Sequence, residues 1–171
     1  MKLPEDLLSL VSPVVSDVRS MLEDGRPVSP MAFVGNLETR KLEILPFSTA
    51  DDGEKNRSAE RIRTVAHQIG ADFVMVVIES FALRPEKMPR LQEVFDKYGS
   101  LSGAPASWRM DVISIIIETP ECFWAAQPEI KPKGISKKKK TIGTPEFRYC
   151  DGAAGRFADL LPVKSAGKTL H

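Results

Sequence analysis

Histidine and cysteine are scarce in this chain, and their scarcity removes several kinds of chemistry. Only two of each occur among 171 residues: His67 and His171, Cys122 and Cys150. No Cys-x-x-Cys pair or Cys/His cluster is present, so no structural zinc site and no metal are expected. A serine or cysteine nucleophile would have to be activated by His67. That residue falls at a polar position of an expected helix, with no Gly-x-Ser-x-Gly elbow elsewhere, so it reads as an ordinary surface histidine. A phosphate-cradling loop is also missing. The stretch DGAAGRF (151–157) places two glycines before an expected helix but lacks the Lys-Ser/Thr ending of a P-loop, so no nucleotide cofactor is expected.

Long apolar runs are absent too, which argues against a membrane-spanning helix. The opening MKLPEDLLSL carries acids in its first turn and no extended apolar core, unlike a signal peptide. A cytoplasmic location is expected, with both thiols buried and reduced. Charge of one sign is missing as well: 24 lysines and arginines face 23 aspartates and glutamates. A net charge of +1 argues against a surface built throughout for nucleic acid or an anionic membrane, though a local patch stays open.

What is present fits one ordinary globular domain, 42% hydrophobic and 27% charged. The expected fold class is α+β: a single domain over residues 1–162 with a mixed, mostly antiparallel sheet of about five strands and helices packed on it. A basic loop at 131–144 lies within it, and 163–171 form a flexible tail. Leu3, Leu7, Leu10, Val14, Val18, Met21 and Leu22 have helical spacing, but Pro13 predicts a kink or a second helix start at Ser12-Pro13. MAFVG (31–35) and LEILPF (42–47) form a hairpin signal. STADDGEKN then opens a helix whose stripe is Ala59, Ile62, Val65, Ala66 and Ile69, stopped by Gly70.

FVMVVI (73–78) is apolar without alternation and is expected to be the central strand, buried on both faces. Leu91, Val94, Phe95 and Tyr98 suit a short helix ending at Gly99. MDVISIII (110–117) and CFWAAQ (122–127) read as a second hairpin turning at Thr119-Pro120. KPKGISKKKK (131–140) holds six lysines in ten residues and reads as a loop or disordered excursion. EFRY (146–149) is a possible last strand, and Asp151 is expected to cap a helix carrying Phe157, Leu160 and Leu161.

This order of elements resembles the roadblock and profilin-like sandwiches, in which a helix–hairpin–helix–strands–helix chain wraps one sheet. Over roughly residues 30–130 the chain is also similar to small uncharacterised bacterial proteins. The likeness rests on Gly70-Ala71-Asp72 leading an apolar strand into Glu79-Ser80-Phe81 and a later hairpin. It implies no activity, cofactor or site residue.

Three clusters remain as candidates. Asp111, Glu118 and Glu129 lie near expected strand ends, with Asp111 expected across from about Pro128 and Glu129, and Lys131 follows Glu129 at Glu-x-Lys spacing. An Asp plus Glu-x-Lys set on one strand face resembles the metal site of restriction-type nucleases. Lys133, Lys137, Lys138, Lys139 and Lys140, with Trp124, Phe147, Arg148 and Tyr149 on flanking strands, could stack on and neutralise single-stranded nucleic acid, or grip an acidic protein. The bland alternative is a solvated hairpin loop that keeps a sheet edge from aggregating. Glu79 could act as a general base if buried, or could simply accept loop amides. The preferred expectation is a non-catalytic adaptor domain that pairs with a protein partner or with itself through helix faces or a strand edge. The rival is a nucleic-acid-binding protein, with a metal-dependent nuclease as its catalytic form.

Overall fold

The computed structural model of the protein describes residues 2–151 and 157–162. Among them are three α-helices: α1 (Glu5–Glu23), α2 (Asp52–Ile69) and α3 (Leu91–Tyr98). The strands are β1 (Met31–Asn36), β2 (Lys41–Pro46), β3 (Phe73–Leu83), β4 (Arg109–Glu118), β5 (Phe123–Ala126), β6 (Ile130–Pro132), β7 (Lys140–Ile142) and β8 (Arg148–Cys150). Six of them form one mostly antiparallel sheet in the order β2-β1-β3-β4-β5-β8, and β6 and β7 form a separate ribbon. The fold is therefore α+β, with six strands in the main sheet where about five were expected. The chain divides into two compact units: residues 1–29, 78–115 and 126–148, and residues 30–77, 116–125 and 149–171.

In the first unit, α1 buries Leu7, Val11, Val15, Val18 and Leu22 at helical spacing, while Leu3, Leu10, Val14 and Met21 are only half-buried. The break expected at Ser12-Pro13 does not occur, because the helix runs unbroken through Pro13. Ser12 caps nothing; its hydroxyl donates to the Leu8 carbonyl at 2.9 Å, inside the helix. Pro13 and Ser9, whose carbonyl loses its helical donor, are both exposed, so water can satisfy what the proline removes. Gly25, at φ +72°, closes the helix: its N–H bonds the Leu22 carbonyl and the Arg26 N–H bonds the Met21 carbonyl.

The same unit holds α3, where Leu91, Val94 and Tyr98 pack with Leu83, Ala104, Leu101 and Trp108. Phe95, expected on that stripe, is exposed. The Arg90 guanidinium and the Lys87 ammonium lie over the Trp108 ring, 4.2 and 5.1 Å from its centroid, so cations rest on its π face.

In the second unit, β1 runs antiparallel to β2 and β3, with Phe33 opposite both Ile44 and Met75. One face of this sheet offers Ala32, Val34, Leu45, Val74 and Val76 to Ala59, Ile62 and Ala66 of α2. Each fully covered Val, Leu or Ile there contributes about 1.5–3 kcal/mol. Helix α2 begins where the Asp51 carboxylate accepts the Glu54 N–H at 2.8 Å, and it ends at Gly70 in the left-handed conformation. Gly35 is required by close approach: a Cβ there would lie 2.3 Å from the Phe73 ring. Phe73 to Val77 are all buried, as the unbroken apolar run predicts.

The chain's last described stretch differs from expectation. Phe157 to Pro162 form a turn and bends rather than a helix, with Asp159 at φ +54°. Their backbone groups are used elsewhere, as described below. Residues 152–156 and 163–171, with the glycine pair, the expected tail and His171, lie outside the described residues.

Candidate functional site

The lysine-rich segment is a closed hairpin, not the loose loop the sequence suggests. Antiparallel pairs join Ile130 to Ile142, Lys131 to Thr141 and Pro132 to Lys140. Beyond them the Lys133 N–H donates to the Lys139 carbonyl at 2.9 Å, and the Ser136 N–H to the Lys133 carbonyl at 3.2 Å. Gly134 turns the chain at φ +60°. The Ser136 hydroxyl oxygen accepts the N–H groups of Lys138 and Lys139 at 3.3 and 3.0 Å. A stretch so rich in like charge closes because these backbone groups find partners within seven residues.

Helix α1 holds this hairpin from one side. The Arg19 guanidinium donates to the carbonyls of Ile142 and Gly143 at 3.0 and 3.3 Å. The Glu23 carboxylate accepts the Lys133 ammonium at 2.8 Å and the Thr141 hydroxyl at 2.9 Å. The Lys133 hydrogen bond, then that of Thr141, and the nearby positive charges hold the Glu23 carboxyl below the usual glutamate range. Lys133, one of the predicted binding residues, is thus spent on an internal ion pair. Lys137, Lys138, Lys139 and Lys140 are exposed, and none makes an ion pair among the described residues. Ile135, between them, is exposed at 105% of its reference area.

The acidic candidates fare differently. Val112, not Asp111, lies opposite Glu129, and the Ile113 N–H bonds the Pro128 carbonyl at 3.1 Å. Because strand side chains alternate, a register one residue off from expectation puts Asp111 and Glu129 on opposite faces. Glu129 instead pairs with Lys131 at 3.6 Å and Arg84 at 3.8 Å. Among the described residues no group of three or more His, Cys, Asp or Glu side chains could hold a metal ion.

The expected stacking platform is also altered. Trp124 is buried at 1% exposure, edge-on to Tyr149 at 5.6 Å, and its indole N–H finds no acceptor among the described residues. Phe147 is half-buried, while Arg148 and Tyr149 are exposed. Glu79 is exposed and accepts the Val28 N–H at 3.2 Å, the backbone-satisfying role weighed for it. His67 is exposed on α2. Both cysteines are half-buried rather than buried and are not joined in a disulfide.

Two features escaped the sequence. Edge strand β2 exposes Leu42 and Ile44, at 45% and 53%. The Phe47 N–H donates to Pro30 on the β1 side, so by alternation the backbone groups of Leu42 and Ile44 point away from the sheet. The hairpin was legible, but which of its residues face outward and which edge β2 occupies were not. The second feature is the surroundings of Glu118, which the sequence marks only as an acid near a strand end: it is 6% exposed, and its two carboxylate oxygens each accept a backbone N–H, from Leu160 and Leu161, at 2.9 Å. Burial pushes this carboxyl up, against the lowering effect of those two bonds and of Arg63, and Asp159 adds to the rise. Arg63 in turn donates to the carbonyls of Ala158 and Asp159, so the segment's backbone is occupied and cannot form the expected helix. An open groove of about 400 Å³ lies beside Phe47, Ser48, Arg57 and Arg61, but Glu54 neutralises Arg57 there.

No family model, curated protein or solved structure matches the chain, so the reading of these surfaces rests on their own geometry.

Proposed function

We propose that this protein is a non-catalytic binding domain that holds the phosphate backbone of nucleic acid on the β6–β7 hairpin. One observation carries the reading: four exposed lysines, Lys137 to Lys140, make no ion pair among the described residues and sit on a hairpin fastened to α1 by Arg19 and Glu23. A pre-shaped cationic ribbon loses less conformational freedom on binding than a loose lysine tail would. Releasing counterions from phosphates then supplies the affinity.

The test is a salt series on a generic oligonucleotide. Binding is expected to weaken as salt rises, and replacing Lys137 to Lys140 by alanine should flatten the log–log slope by about 3–4 units on duplex. A slope left unchanged by that replacement would remove the hairpin from the account.

A second reading is an adaptor that pairs with a protein partner, or with a second copy, by strand addition at β2. The exposed Leu42 and Ile44 and their outward backbone groups favour it. Light scattering over a concentration series checks the self-pairing form, with Leu42→Lys and Ile44→Lys together expected to abolish any dimer. A wild-type chain that stays monomeric throughout would end that form.

A further inference from the structure

We propose that Ile135 is an apolar wedge that enters a base step of duplex DNA while the surrounding lysines hold the flanking phosphates. This rests on the nucleic-acid reading above and adds which form of nucleic acid is bound and how. Ile135 is wholly exposed, whereas Leu8, Leu42 and Ile44 still keep about half their surface covered. It occupies the loop closed by the Lys133–Lys139 backbone bond, and Ser136 fixes the far side of that loop. The side chain is therefore presented from a shaped turn, not from a loose end.

The chemistry around it selects the partner. No acid occurs from Lys131 to Pro145, so the tip is cationic and apolar together. A branched aliphatic chain has no π face on which an unpaired base can stack, Trp124 is buried, and the exposed Tyr149 is packed edge-on with Trp124. In a duplex, an aliphatic side chain pushed between base pairs is covered on both sides. The unstacking it causes is offset by cationic contacts to the bent backbone. An anionic membrane offers the same charge, but a single isoleucine gives shallow insertion there, and stable membrane attachment needs more than one such anchor.

The experiment uses the full chain and a duplex carrying 2-aminopurine at a flexible TpA step. Wild-type protein should raise the 2-aminopurine fluorescence as it binds. Ile135→Ala should keep the salt slope, lose about tenfold in affinity and lose the fluorescence rise. Ile135 touches little of the fold, so this variant should fold normally. A rise equal to wild type in Ile135→Ala, or no rise while wild type binds duplex, would overturn the wedge and leave backbone binding standing. Failure to bind duplex or single strand at low salt would overturn both readings. Capture by phosphatidylserine vesicles but not by duplex, lost in Ile135→Ala, would overturn the wedge by assigning the tip to a membrane.

Discussion

Two glutamates fasten late parts of this chain, one in each compact unit, and burial sets them apart. Glu23 sits half-buried at the end of α1 and holds Lys133 and Thr141 of the hairpin, where a hydrogen-bonded ammonium lowers its pKa. Glu118 sits at the end of β4 and holds the N–H groups of Leu160 and Leu161 in a dry pocket, where desolvation outweighs those bonds and raises its pKa. The same side chain does the same mechanical work with opposite electrostatic consequences. A clasp at the surface can be undone without disturbing a core; one under Leu160 cannot.

The sharpest way to break the comparison is at the buried clasp. Glu118→Ala leaves two backbone donors without an acceptor, one of them on Leu160, which is 1% exposed. Loss of about 2–4 kcal/mol is expected in a denaturant titration, with faster hydrogen exchange across 157–162. Glu118→Gln keeps one acceptor oxygen and should cost less, about 1–2 kcal/mol.

The pH response of the two clasps should differ in sign. Between the ordinary glutamate range and its raised native pKa, only the folded chain holds a proton on Glu118. Stability should therefore fall as pH rises through that window, and Glu118→Gln should remove the fall. For Glu23 the window lies below the ordinary range, where the unfolded chain holds the extra proton. Its contribution should be complete above that range and be lost as pH falls through the lowered native value. Thermal melts across pH, wild type against each Gln variant, check both signs.

The smallest effect on global stability is expected from Glu23→Ala, because its partner Lys133 is half exposed and the pair is screened by water. Hydrogen exchange at Lys133 and Thr141 should still quicken. Nucleic-acid affinity should fall several-fold as the ribbon loses its fixed shape. Unchanged exchange in the hairpin would mean that Glu23 does not hold it.

Much of the frame was legible because local signals and burial agreed. The β1–β2 hairpin, the Asp51 cap, the Gly70 stop and the burial of FVMVV, though not of the half-buried Ile78 after it, all follow from residues close in sequence. The misreadings have two causes: exposure to water at Pro13, and elsewhere partners distant in sequence. Pro13 is tolerated because its turn faces water. The 157–162 segment is not helical because Glu118 takes the N–H groups of Leu160 and Leu161, and Arg63 the carbonyls of Ala158 and Asp159, from 42 or more residues away. The lysine run closes into a hairpin that Glu23 helps to hold, 110 residues distant from Lys133. At the candidate site the lysines were legible as a run, but not which of them is spent internally. The acids were placed one residue out of register, and in a strand that reverses the face. Ile135 was visible only as one apolar residue among lysines; its complete exposure needed the hairpin.

The central claim is that the β6–β7 hairpin is the working surface. Hydrogen exchange of the full chain, with and without a saturating duplex oligonucleotide at low salt, tests it most directly. Slowed exchange concentrated in residues 131–142 is the predicted footprint. Protection confined to β2, or spread evenly with none at the hairpin, would contradict it.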